Sequence, residues 1–473
     1  MLTTFIIIYG IIVFITVGII ILYGSDPSRS LGWILVVIFF PYAGAISYLL
    51  FGINRREFKI FTLKRILQSR LYDKKYLKHH SSENNVLFNS SKKIKLALLL
   101  EKSSNFQAIE GNKITVLNNG AHAYKNIFEK LENAKKFIHI QFYILEDGVI
   151  LEKVYEIFKR KIEEGVEIRM IYDALGSFWL KGKSIKKFKA IGVEVFPVMP
   201  IKFGTILFSI NFRNHRKNII IDGEIGFTGG VNISDKYISS QSELGVWDDE
   251  HICIEGPAVE SLHKIFIKDY YFASNSEHLL QEKYHPKISK KGDSIVQIVA
   301  SEPDSNYSTI LYQYLSFINI AETCVYIANP YFMPTKPLLE GIKIAALGGV
   351  KIKLLVPKVS DSVLAKYSMQ SYFGELLDVG IEIYRSSNFL HSKIIITDNE
   401  IVSVGSGNFD YRSFEQNFET NALIYDEKIA QKISEDFLKD CEKGTVLTLE
   451  NHHSRPFYHK IFEGFARLFT PLL

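Results

Sequence analysis

Residues 214–222, NHRKNIIID, and residues 391–398, HSKIIITD, carry one pattern twice: a histidine, a lysine two places on, an apolar run, and an aspartate seven places after the histidine. In an extended strand, side chains two apart point to the same face. His215 therefore projects with Lys217, and His391 with Lys393. Asp222 and Asp398 have the opposite parity and open the hairpin turns DGE and DNE, so within the motif they read as turn and scaffold residues. Each hairpin returns to a small-residue turn, TGGVN (228–232) or VGSGN (404–408), which ends in Asn232 or Asn408. Glycines there admit backbone N–H groups and the asparagine side chain close to an anion. A lone His-x-Lys pair is ordinary surface or core. The recurrence of His, Lys, Asp, Gly and Asn at identical offsets is not.

Working outward, the motifs prove to be parts of a longer repeat. FIHIQFYILEDG (137–148), GVEIRMIYDALGS (165–177) and GVEVFPV (192–198) precede the first, and CVYIANPYFMP (324–334), GVKIKLLVPKVSD (349–361) and GIEIYRS (380–386) precede the second. Short β-rich runs alternating with helical patterns indicate a layered α/β fold. Two ordered copies imply two similar domains packed about a pseudo-twofold axis, at 106–280 and 295–450, joined by a polar linker at 281–294.

The chain of 473 residues is 47% apolar and 23% charged, with a net charge of +5. This mild basicity suits an anionic partner without choosing between nucleic acid and anionic lipid. The three cysteines, Cys253, Cys324 and Cys441, lack CxxC spacing and argue against a disulfide scaffold or zinc site. The N-terminus departs from a soluble pattern. Two uncharged runs, LTTFIIIYGIIVFITVGIIILYGS and LGWILVVIFFPYAGAISYLLFG, flank the polar DPSRS. Each is long enough to cross about 30 Å of hydrocarbon, so residues 1–55 are expected to form a transmembrane helical hairpin. The absence of a basic n-region and the second span argue against a signal peptide. RREFKIFTLKR (55–65) then places the larger part on the cytoplasmic side by the positive-inside bias. Residues 56–105 read as a polar juxtamembrane linker, in which His79–His80 is a solvated pair. Residues 451–473 read as an amphipathic segment with Phe457, Ile461, Phe462, Phe465 and Phe469 at helical spacing, either lying on the bilayer or packed on the body. KFGTILFSINF (202–212) is a core strand or a membrane-dipping loop, and SFWLKGKSIKK (177–187) suits lipid headgroups.

Two histidines, two lysines and two asparagines suit phosphoryl-group transfer without a metal. One neutral imidazole attacks phosphorus and the other, protonated, gives its proton to the leaving oxygen. The lysines and amides hold the non-bridging oxygens.

HRKNIIIDGEIGFTGGVN and HSKIIITDNEIVSVGSGN resemble the paired HxKxxxxD motifs of the phospholipase D superfamily. With the apolar hairpin, YDALGS, EGPAV (255–259), NPYFMP and YRSFEQNFETNALIYD (411–426), the chain resembles, nearly end to end, bacterial cardiolipin synthases of the two-span type. Glu302 stands where a glycine is usual and Asn329 where threonine is expected. The resemblance implies a duplicated mixed β-sheet flanked by helices, with one active site at the interface. It also implies a catalytic set of His215, Lys217, Asp222, His391, Lys393 and Asp398, with Asn232 and Asn408 on the substrate phosphate and no cofactor or metal. His215 is the implied nucleophile and His391 the general acid. The orienting carboxylates would be Asp249 in WDDEH, with Asp248 as its rival, and Glu419 in NFETN. The implied reaction joins two phosphatidylglycerol molecules into cardiolipin and glycerol at the bacterial inner membrane, with no nucleic-acid partner. The alternative is a phospholipase D or phosphatidyltransferase that uses water or another alcohol.

Overall fold

Strands buried on both faces dictate a sheet with helices on either side. The computed structural model describes residues 2–24, 27–52, 86, 88, 90–200, 211–239, 245 and 247–470. The basic stretch 55–65, His79–His80 and most of 202–212 lie outside them. The first half contributes β1 (Ala108–Leu117), β2 (Phe137–Phe142), β3 (Glu167–Asp173), β4 (Glu194–Val198), β5 (Arg213–Asn214), β6 (Asn218–Ile221), β7 (Ile225–Gly229), β8 (Trp247–Asp248) and β9 (His251–Glu255). The second contributes β10 (Ser294–Ser301), β11 (Cys324–Ala328), β12 (Lys351–Pro357), β13 (Glu382–Ser386), β14 (Phe389–Leu390), β15 (Ile394–Thr397), β16 (Ile401–Gly405), β17 (Asn417–Tyr425) and β18 (Thr445–Leu447).

The main sheet runs β18-β13-β12-β11-β15-β16-β17-β10-β1-β9-β7-β6-β2-β3-β4. From the central β10/β1 seam outward, both halves repeat one order, and those two equivalent strands pair antiparallel, with Ile109 opposite Val296. The duplicated α/β fold with a pseudo-twofold axis follows from this pairing. Every residue of β2, β6 and β15 is buried, which accounts for the unbroken apolar runs after each lysine.

The motif aspartates stand at the ends of β6 and β15 away from the histidines. Asp222 and Asp398 both have a φ of 54°. Asp222 accepts from the amides of Lys135, Lys136 and Phe137 at 2.7–2.9 Å. Asp398 accepts from the amides of Glu322, Thr323 and Cys324 and from the Thr323 hydroxyl. Each carboxylate thus ties a hairpin turn to the start of the neighbouring strand, β2 or β11.

Three sequence expectations change. The helix α1 (Leu2–Tyr23) has 22 residues, about 33 Å at 1.5 Å per residue, and is apolar and long enough to cross a membrane. The second apolar run is instead divided into α2 (Pro27–Phe39), α3 (Pro41–Ser47) and a π-helical turn (Tyr48–Gly52). Pro41 supplies no N–H and its ring disfavours a continuing helix. The chain then folds back so tightly that a Cβ on Gly44 would lie 2.7 Å from the Val36 carbonyl oxygen.

The expected linker 56–105 contains α4 (Ser91–Ser104), whose Leu96 and Leu100 enter the second half's core beside Val299 and Ile310. Gln297 Nε2 and Thr309 Oγ1 donate to the Ala97 and Ser103 carbonyls, both at 3.0 Å. The polar stretch 281–294 is likewise anchored, because Tyr284 is buried with its ring under Arg169.

Asp398→Ala should lower unfolding free energy by about 2 kcal/mol, since it strands several amides. Asp398→Asn should cost less, because asparagine keeps an acceptor and tolerates positive φ. Chemical denaturation followed by tryptophan emission checks the order.

Candidate active site

The short strands that lead into the histidines do not pair within their own half. β5 runs parallel to the start of β17, with Arg213 opposite Asn417 and Asn214 opposite Phe418. β14 runs parallel to β8, with Phe389 opposite Trp247 and Leu390 opposite Asp248. The ladders end on equivalent hydrogen bonds, His215 N–H to Phe418 O at 2.9 Å and His391 N–H to Asp248 O at 2.7 Å. The next residue on each partner strand is a carboxylate. His215 Nδ1 lies 3.0 and 3.1 Å from the two oxygens of Glu419, and His391 Nδ1 lies 2.5 Å from Asp249 Oδ2. Each histidine therefore meets the carboxylate of the other half. Asp248, the sequence rival of Asp249, binds Asn388 Nδ2 at 2.8 Å and presents only its backbone oxygen to His391.

The lysines enter the same enclosed space. Lys217 Nζ donates to His215 O at 2.6 Å, and Lys393 Nζ lies 2.9 Å from His391 Nδ1 and 3.7 Å from Asp249 Oδ2. Burial pushes both lysines below the usual range, against the pull of Glu419 and Asp249. Burial also lowers His215 to about 4, with Glu419 opposing and Lys217 pushing further down. His391 is held well below its ordinary value by burial, Lys393 and Lys217. Both imidazoles are thus neutral near pH 7. Two buried, like-charged amines are costly unless an anion joins them. Glu419 and Asp249, one from each half, supply that compensation.

The two carboxylates differ within this symmetric frame. Glu419 accepts from Ser406 Oγ at 2.5 Å, Ser413 Oγ at 2.9 Å and Asn417 Nδ2 at 3.2 Å. Burial opposes its ionisation, but His215, Lys217 and the Ser406 hydroxyl hold it below the usual range. Asp249 Oδ1 has no hydrogen-bond partner among the described residues, and burial raises this carboxyl to about 6 despite Lys393 and Lys217. The cause is local. Gly230, the counterpart of Ser406, packs so closely that a Cβ there would sit 1.9 Å from Asp249 Oδ1. No hydroxyl can take the place that Ser406 fills on the other side.

The asparagines also diverge. Asn232 Oδ1 accepts from Ile144 N at 3.2 Å and its Nδ2 donates to Tyr237 Oη at 3.0 Å, which leaves at most one N–H for a ligand. Tyr237 Oη is in turn 3.4 Å from His391 Nδ1. Asn408 Oδ1 is buried without a hydrogen-bond partner among the described residues. Asn329 accepts from the Tyr331 and Phe409 amides and supports the Asn408 loop.

Several site residues escaped the sequence reading. Tyr143 packs edge-on to His215, with ring centroids 4.8 Å apart, and Trp247 lies 5.1 Å from His391. Arg216, fully buried between the two motif residues, binds Asp269 at 2.8 Å and donates through Nε to Glu419 O at 3.3 Å. The unusual Glu302 pairs with Arg216 and Lys268. Ser406 and Ser413 lie inside quoted motifs, but nothing in their spacing marks them as carboxylate partners. Among the described residues, no group of three or more His, Cys, Asp or Glu is arranged to hold a metal.

A pH profile follows from these groups. Asp249 loses its charge as pH falls through about 6, and His215 takes a proton near 4. On the expectation that both groups act in their basic forms, kcat/KM should fall on the acid side from about pH 6 and more steeply near 4. Asp249→Asn should lower kcat/KM by roughly 10²-fold or more and remove the upper inflection from its pH dependence.

The model of the "Cardiolipin synthase, PLD-like domain" family matches residues 127–270 and 314–441, and a phospholipase D-nuclease N-terminal model matches residues 10–52. Cardiolipin synthase 2 of Bacillus anthracis is 36% identical over 458 residues, covering 96% of this chain and 89% of the relative. Cardiolipin synthase of Alkalihalophilus pseudofirmus is 36% identical over 462 residues, covering 97% and 92%. The crystal structure of phosphatidylserine synthase from Haemophilus influenzae shares the fold, with a TM-score of 0.59 at 17% identity over 81% of this chain and 98% of that one. The chain belongs to the cardiolipin synthase, phospholipase D-like family.

Proposed function

We propose that the protein is a phosphatidyltransferase that converts two phosphatidylglycerol molecules into cardiolipin and glycerol, anchored by its N-terminal apolar helix in a bacterial inner membrane with the catalytic body on the cytoplasmic side. One observation carries the reading: two neutral imidazoles and two buried amines share a space enclosed by both halves, each imidazole backed by a carboxylate from the opposite half.

The difference between the carboxylates supports distinct roles. Glu419, held ionised by three further donors, accepts the His215 Nδ1 proton and leaves the Nε2 lone pair free for phosphorus. His215 Nε2 attacks the phosphorus of the first lipid and the bond to the headgroup glycerol breaks; His391, which takes up a proton once the bound phosphate offsets the lysine charges that lower it, gives that proton to the departing oxygen. Asp249 is the more basic carboxylate, and with Tyr237 it engages His391 Nδ1, which leaves Nε2 to exchange a proton with the lipid oxygens. The primary hydroxyl of the second lipid's headgroup then gives its proton to His391 and attacks the phosphohistidine, restoring His215. Lys217 and Lys393 hold the non-bridging oxygens throughout.

Incubation of the purified protein with labelled phosphatidylglycerol should yield cardiolipin and free glycerol. Phosphatidic acid as the sole product would establish hydrolysis and overturn the transferase reading. His215→Ala and His391→Ala should each abolish turnover, and a chelator should leave it unchanged. Activity lost to chelator and restored by a metal would contradict the proposed chemistry.

A further inference from the structure

The C-terminal helix packs with its polarity inverted. α5 (Val363–Gln370) follows β12, and α6 (Phe457–Leu468) lies against it, with Tyr367 and Phe462 rings 5.6 Å apart and Ser368 Oγ 2.8 Å from Thr470 Oγ1. The buried positions of α6 are Glu463, ion-paired with Arg455, and Ala466. Its large apolar residues point away from the protein: Phe457 is 74% exposed, Phe465 57% and Leu468 75%, with Ile461 and Phe462 more than half exposed. A helix packed for water turns its apolar stripe inward. This one buries a glutamate and presents phenylalanines.

The pseudo-symmetric place in the first half carries a second apolar group. Phe178 and Trp179 follow β3, the counterpart of β12, and Trp179 is 80% exposed. Val359 and Val363, after β12, are exposed as well. Both connections leave the histidine end of the sheet. Asp173, the last residue of β3, accepts from the amide of Asn214 at 2.8 Å, one residue before His215. Asp361, after β12, accepts from Tyr331 Oη at 2.5 Å, and the Tyr331 ring lies 6.5 Å from His391. The apolar hairpin meets the body on this side too, through Arg29 Nη1 to Tyr411 Oη at 2.6 Å, three residues past Asn408. Lysines accompany both patches in sequence: Lys181, Lys183 and Lys186 after Trp179, Lys358 before Val359, and Lys460 within α6.

We propose that α6 and the Phe178–Trp179 connection form a second membrane-contact surface, distinct from the N-terminal helix, whose occupant is an anionic bilayer. Apolar side chains at the centre with lysines at the margin match hydrocarbon bordered by phosphate. Contacts in both halves and the hairpin make three supports at the histidine end of the sheet, so the body sits with that end toward the bilayer. The surface deepens the lipid-substrate reading above, but its immersion is measurable without turnover.

The test uses the full-length protein in vesicles containing anionic phospholipid, with one spin label at a time on Trp179→Cys, Ile461→Cys, Phe465→Cys or the exposed control Lys439→Cys on another helix. The three native cysteines are buried. Labels at 179, 461 and 465 should gain oxygen collisions and lose nickel-chelate collisions several-fold relative to 439. Water-like accessibility at all four positions overturns the proposal, and so does dipolar broadening between labels of two copies, which would assign the face to self-association. Ile461→Ser/Phe465→Ser should lower turnover several-fold in vesicles and leave it unchanged in detergent micelles. An equal loss in both indicates a structural role and also overturns it. Immersed labels without cardiolipin formation would sink the substrate reading alone, whereas cardiolipin formation with water-exposed labels would sink this surface alone.

Discussion

Two backbone hydrogen bonds, His215 N–H to Phe418 O and His391 N–H to Asp248 O, tie each half of the molecule to the strand that carries the other half's carboxylate. A histidine cannot reach its own half's acid in this topology. Each half therefore holds an imidazole and a carboxylate that are useless to each other until the halves associate. The antiparallel β1/β10 seam brings the halves together, and the parallel β5/β17 and β14/β8 pairings set the side-chain register. Two copies of the fold are thus a requirement of the site, because one copy alone offers an unsupported histidine.

Symmetry supplies the frame and small departures from it supply the chemistry. Ser406 gives Glu419 a hydroxyl, and its counterpart Gly230 gives Asp249 none. Arg216 stands between His215 and Lys217 and braces the Glu419 backbone, whereas Ser392 fills the same place in the second motif and donates to Asp248 O. A two-step exchange needs one imidazole to bond phosphorus and the other to carry a proton. In the proposed mechanism, the unequal solvation of two equivalent carboxylates separates those tasks without breaking the fold.

Much of this was legible in the sequence. Period-two arithmetic put His and Lys on one face and the aspartate on a turn, and the repeated strand order implied the duplication. The crossed pairing was not legible, since it joins residues 204 and 142 positions apart and depends on how the halves dock. The helix α4 was hidden because its polar flank dominates the composition, while the few apolar residues it buries serve the other domain. Pro41 is visible in the sequence, but hydropathy over a window is insensitive to a missing N–H. The outward turn of α6 is not legible for a related reason, since spacing reveals an apolar stripe without saying which way it faces.

The crossed assignment is tested most directly by rapid quenching with labelled phosphatidylglycerol, followed by location of the acid-labile phosphatidyl adduct. The adduct is expected on His215, forming more slowly but still detectably in Asp249→Asn and failing to form in Glu419→Gln. An adduct on His391, or one that survives loss of Glu419 and vanishes with Asp249, would contradict it.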